Sequence, residues 1–275
     1  MINTVQIKQQ QLSKGFFTIG SGAEVILVLG SCRVVNYISY LQEINTDNRF
    51  TINSLDPFNW NWDAKDRRVD YVKAIEALET NPAMLKMLAS VTIFIHEYYA
   101  NFGMFNCDKD NEKNIYQFGM KADIDICIPN FNDLFILFGD IVTFDERLRK
   151  MAIQDYLATD KLSEFTENEI FKTGKKNIEK FYDVCSKSDL PEMAEVFKEW
   201  ACPTRLFWTY NHVTKYFTLA VFQIMNEKFL HLSFVYDDRH EDIFANNYTH
   251  LTEYDKKYYG FDWDEEIRPL RSKLF

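Results

Sequence analysis

The first long apolar run, Glu24-Val25-Ile26-Leu27-Val28-Leu29, is hydrophobic on both of its alternating faces. A strand with one wet face would alternate, so this run reads as a central parallel strand covered by helices on both sides. Gly30-Ser31 breaks it, and from Cys32 to Leu41 the apolar positions Val34, Val35, Ile38 and Leu41 fall on one helical face. Strand, tight turn and helix in that order form the opening unit of an open α/β sheet. Phe50–Leu55 is a second strand candidate, stopped by Asp56-Pro57, and Ser90–His96 is the clearest third. Ile124–Ile128 is the fourth, and the alternating Asp123 and Asp125 place it near a sheet edge. A helix is predicted from Lys65 to Glu79, and Asn81-Pro82 starts a short one.

Beyond Thr143 the pattern changes. Charged and apolar residues alternate at helical periods through Asp145–Leu157, Glu167–Val184 and Pro191–Trp200. Thr166 is placed to cap the middle helix because Glu169 stands three residues on, and Pro191 suits a first helical turn. Gly174-Lys175-Lys176 lacks the remainder of a phosphate-loop frame and reads as a solvated helix face. Leu206–Tyr210 reads as another strand ending at Asn211-His212, with Val213–Phe229 an apolar helix behind it. The polar, tyrosine-rich tail from His231 predicts irregular coverage with one or two short helices. The whole, 1–275, reads as a single α/β domain with an open, mainly parallel sheet, helices on both faces and a helical insertion over 143–203.

The chain has 275 residues, 47% of them hydrophobic and 26% charged, with a net charge of −10. That composition excludes disorder, collagen and coiled coil. The acidic balance argues against bare nucleic acid as a partner. No stretch approaches 18 apolar residues, and the polar start shows no secretory segment, so no membrane span is expected. Five cysteines, at 32, 107, 127, 185 and 202, form an odd set without CxxC spacing. They read as free thiols in a cytoplasmic protein. The five histidines show no compact ligand spacing, and no metal is assigned.

Candidate chemistry gathers at strand ends, where ligands of open α/β sheets bind. At Gly30-Ser31-Cys32-Arg33 the helix start offers unpaired N–H groups to a thiolate, a phosphate or an oxyanion, with Arg33 able to neutralise an anion. Equally, Ser31 caps the helix there and Cys32 packs beneath it. His96, in His96-Glu97-Tyr98-Tyr99, is either a site residue or a hydrogen-bonded loop residue. Asn211 and His212 close a later strand: His212 is a natural general base near neutral pH, while Asn211 orients it, donates to an oxyanion or caps the helix. Asp237 and His240 are a weaker pair, read more simply as a hydrated acidic loop. Phe58, Trp60 and Trp62 cluster in one loop, either to stack on sugar rings or to pack at the sheet edge.

Gly30-Ser31-Cys32-Arg33 after its strand resembles the Gly-Asn-Cys-Gln start of the WcbI-type capsular polysaccharide biosynthesis enzymes. It is more distantly similar to the Gly-Asp-Ser start of SGNH hydrolases. The strand ending at His96, Ile128-Pro129-Asn130 with Phe131 and Phe135, and the block from Phe207 to His212 follow in that family's order. Asn211-His212-Val213 stands for its Asn-His-Pro element. Ser31, Arg33 and Val213 depart from the Asn, Gln and Pro usual there. The resemblance implies a Rossmann-like or SGNH-like core with helical additions, and coenzyme A or acetyl-coenzyme A as partner. The implied activity is acyl transfer to a sugar hydroxyl of a surface glycan. In that expectation His212 takes the hydroxyl proton, and Ser31 with the N–H groups of Cys32 and Arg33 holds the oxyanion. Cys32 is a nucleophile or a donor. Gly30, Ser31, Cys32, Arg33 and Asn211 bind the acyl donor, and His96 shares the site. Hydrolysis and glycan binding without catalysis are the alternatives, and an oligomer is compatible with the sequence.

Overall fold

The computed structural model describes residues 10–13, 16–30, 33–55, 62–63, 68–69, 80–98, 115–131, 134–233, 242, 245 and 248–263. Ser31, Cys32, the loop 56–61, most of 64–79 and Asp237–His240 lie outside them. The chain forms two compact units, one of residues 1–128 with 225–234, the other of 129–224 with 235–275.

The first unit holds β1 (Gln10–Ser13), β2 (Phe16–Ile19), β3 (Glu24–Leu29), α1 (Val34–Ile44) and β4 (Phe50–Leu55). The short strands β5 (Trp62–Asp63) and β6 (Arg68–Val69) follow, then α2 (Pro82–Ser90), β7 (Ile93–Glu97), a 3-10 turn Ile115–Phe118 and β8 (Ile124–Ile128). Six strands make one sheet in the order β1-β2-β4-β3-β7-β8. Its centre is parallel as expected: β3 pairs with β4 on one side and β7 on the other, and β7 pairs with β8 at the edge. The sheet is nevertheless mixed, because β1 and β2 add an antiparallel hairpin beyond β4. Two-residue connections such as 14–15 permit only antiparallel return, whereas parallel pairing needs a crossover.

The strand faces explain the layers. Leu27, Leu29, Leu55 and Phe94 form a buried cluster with Met84 and Leu88 of α2, Val91 and Met120. Asn81 caps α2 by accepting from the amides of Ala83 and Met84, and Pro82 occupies the first turn, where its missing N–H costs nothing. Glu97 alternates to the opposite face from Phe94 and His96, and it is bonded to Arg33 at the head of α1. The helices α1 and α2 therefore flank opposite faces. The expected helix from Lys65 does not run through Arg68–Val69, which is extended and pairs with Trp62–Asp63.

The second unit starts with α3 (Phe138–Phe144), α4 (Glu146–Thr159), α5 (Glu164–Ser186) and α6 (Met193–Trp200). The last three are the helices of the expected insertion, with two corrections, and α3 was not expected. The cap of α5 is Ser163, whose hydroxyl accepts from the Thr166 amide. Thr166 lies inside the helix and donates to Asp155 of α4 at 2.8 Å, which ties the two helices together. Gly174 is not on the solvated face: it is buried against Tyr259 and Ile141, while Lys175 and Lys176 are exposed.

The expected strand Leu206–Tyr210 is also corrected. β9 (Phe207–Thr209) and β10 (His212–Val213) form an antiparallel hairpin separate from the six-stranded sheet. Thr209 Oγ1 donates to Asn211 Oδ1 at 2.9 Å across the turn. Val213 thus belongs to a strand, and the apolar helix α7 (Lys215–Met225) begins two residues later. A π-helical turn, Asn226–Leu230, continues it, and α8 (Glu253–Tyr259) is the short helix of the tail. Among the described residues no helix is long and apolar enough to cross a membrane.

Candidate functional site

In the first unit the parallel register brings β3 and β7 together at their carboxyl ends: Leu29 pairs with His96. Gly30, whose amide donates to Leu55 O at 3.2 Å, follows directly after that pair. His96 is therefore a neighbour of Gly30, as the strand-end argument expected.

His96 is buried, and its ring stacks on Phe94 with centroids 4.8 Å apart. Its Nε2 lies 3.1 Å from Asp125 Oδ1. Asp125 pairs with Phe94 in the β7–β8 register, so it projects from the same face as His96, one pair back. A carboxylate accepts only, which puts the imidazole proton on Nε2 and the lone pair on Nδ1. That Nδ1 is buried and has no hydrogen-bond partner among the described residues. Tyr116 of the 3-10 turn donates to the other oxygen of Asp125, Oδ2. Tyrosine, aspartate and histidine form one chain ending in an unused basic nitrogen.

On the opposite face, Arg33 is fully buried as the residue that precedes α1. Its Nε donates to Glu97 Oε1 at 2.9 Å and its Nη2 to Oε2 at 2.8 Å, a bidentate fork. The helix begins at Val34, not at Cys32, and the Arg33 side chain is directed into the sheet. The hydroxyl of Tyr37, one turn on, is buried without a hydrogen-bond partner among the described residues. Burial pushes it above its ordinary value, with Glu97 adding to the shift and Arg33 opposing it.

Asn211 and His212 belong to the second unit. Asn211 closes the β9–β10 turn, and His212 opens β10 opposite Thr209. That unit also holds a buried carboxyl with no sequence signal, Asp140 in the first turn of α3. Its Oδ1 accepts from Thr249 Oγ1 at 2.6 Å, and its Oδ2 is buried. Desolvation pushes its carboxyl up to about 6, against the pull of the Thr249 bond and the Tyr210 amide and with a contribution from Asp255.

Sequence reasoning missed Asp125, Glu97 and Tyr116 as site residues. The signal for Asp125 was present, a charge inside an otherwise apolar strand, but it carried only an edge assignment. Among the described residues no group of three or more His, Cys, Asp or Glu is placed to hold a metal ion. Comparison with family models, with curated proteins and with solved structures returns no match to this chain.

Proposed function

We propose that the chain transfers an acyl group, acetyl from a coenzyme A thioester, to a sugar hydroxyl of a surface glycan or its precursor, and that His96 is the base. The observation that supports this reading is the His96–Asp125 pair beside Gly30, with one imidazole nitrogen held and the other buried and unpartnered among the described residues. Nδ1 accepts the hydroxyl proton as the sugar oxygen attacks the acyl carbonyl, and the imidazolium returns it to the departing thiolate. Asp125 fixes the tautomer and stabilises the imidazolium, and Tyr116 fixes Asp125. Ser31 and the N–H groups of Cys32 and Arg33 hold the oxyanion. The choice of donor rests on the resemblance carried by Gly30-Ser31-Cys32-Arg33. Arg33 itself does not fit a donor phosphate, because Glu97 closes its fork, and no phosphate contact is assigned to it.

The test follows thiol release from acetyl-coenzyme A with and without a panel of sugars. Turnover that depends on a sugar is expected, and His96→Ala should lower kcat by about 10²–10⁴-fold with KM for the donor little changed. Turnover in water alone would make the protein an esterase. An active His96→Ala alongside an inactive His212→Ala would move the base to the second unit. Tight glycan binding with no turnover would make it a binding module.

A further inference from the structure

Helix α4 has an apolar stripe that no described residue covers. Ile153 is 52% exposed, Tyr156 56% and Leu157 76%, three and four residues apart and hence on one face. The adjoining face carries Leu148 and Ala152 into the core, and Asp155 reaches Thr166 in the first turn of α5. Phe165, 65% exposed, follows in the first turn of α5. Isolated exposed apolar residues need no explanation, but a run of them on one helix face marks an interaction surface.

The charges along the same stripe specify an occupant. Arg149 and Lys150 precede the apolar residues, and Asp160 follows them, all exposed. Asp160 is the left-handed C-cap of α4, and Lys161 lies past it, where the chain leaves the helix line. Turned end for end, a second α4 sets Lys150 opposite Asp160 and Ile153 opposite Leu157, around a centre at Asp155. Each contact then occurs twice, as a two-fold interface requires. A parallel partner of the same sequence would instead set Lys150 against Lys150.

We infer that this face of α4 binds a second copy of the chain, the two helices antiparallel across a two-fold axis. One helix face with few charged contacts buries less than a standard stable interface, so the dimer is a weak one. Glu146 already pairs with Lys150 at 2.7 Å within the helix, and the intermolecular pairing competes with that exposed bond.

Sedimentation of the full chain over roughly 1 to 300 µM spans the range of weak dimers. A reversible monomer–dimer equilibrium is expected. Leu157→Glu should weaken it at least about 100-fold, because a symmetric interface loses two leucines at once. Lys150→Glu should weaken it about tenfold by facing Asp160, and adding Asp160→Asn, which suits a left-handed cap, should restore most of the loss. Unchanged helicity in each variant excludes unfolding as the cause. A monomer at every concentration, association indifferent to Leu157→Glu, or a double variant no better than Lys150→Glu would each overturn the inference. Capture by lipid vesicles without self-association would overturn it too, and would assign the stripe to a membrane surface.

Discussion

At the scale of the residue, the pair of Arg33 and Glu97 shows how far type and position can differ in meaning. In the sequence Arg33 is a cation in a glycine turn, which suggests an anion beside it. In the structure that anion is the Glu97 side chain of the same unit, one residue past the end of the β3–β7 register. A buried ion pair contributes little net stability, because desolvating both groups offsets their attraction. Breaking it is different. Arg33→Ala leaves Glu97 charged and buried, and should cost about 3–5 kcal/mol in urea unfolding at neutral pH. Replacing both by leucine and methionine should cost far less, and a double variant as unstable as Arg33→Ala would show that the guanidinium holds the fold through other contacts. His96 was legible because it ends an apolar strand. Asp125 was not, because which residue faces His96 is fixed by the β7–β8 register, and a sequence states no register.

The elements that were read well are those whose signal is local. β3 and β4 are found with their bounds, since continuous apolar runs closed by glycine or Asp-Pro have few other readings. The cap of α2 was visible in Asn81-Pro82 for the same reason. The cap of α5 was misplaced by three residues because Ser163 and Thr166 both satisfy a capping pattern, and the tie is broken by Asp155 of another helix. The β9–β10 hairpin escaped notice because its strands have three and two residues, too few to show a period. Gly174 shows the same limit in the middle of α5. Alanine is a better helix former than glycine by about 1 kcal/mol, so propensity alone predicts that Gly174→Ala stabilises. A Cβ there would lie 1.8 Å from Tyr259 Oη and 3.1 Å from Ile141 Cδ1. The Tyr259 ring must shift, and its hydroxyl is already buried without a hydrogen-bond partner among the described residues. We expect Gly174→Ala to destabilise by about 1–3 kcal/mol, as overpacked cores do, and a raised Tm would refute this.

For the molecule as a whole, the class was legible. Composition and strand order give an α/β fold with added helices, but a contact pattern in two compact units depends on pairings far apart in the chain. Stability should depend on pH through Asp140 in the second unit. Its carboxyl is raised from 3.8 to about 6, so the folded state holds a proton that the unfolded state has released. The contribution is most favourable below about pH 4 and is lost as pH rises through 6, a change of about 3 kcal/mol at most. Asp140→Asn cannot titrate, and its unfolding free energy should change less between pH 4.5 and 7.5 than that of the parent. An equal change in both would place the titration elsewhere. Nearby, Asp255 accepts from the Phe138 amide at 2.7 Å, and from the amide and hydroxyl of Thr252 at 2.8 and 2.6 Å. One carboxylate therefore closes the first turns of α3 and α8, helices more than a hundred residues apart in the chain. Their ends cannot fray one at a time without stranding that charge. In deuterated water the amides of Phe138 and Thr252 should exchange slowly and at matching rates, and Asp255→Ala should release both together.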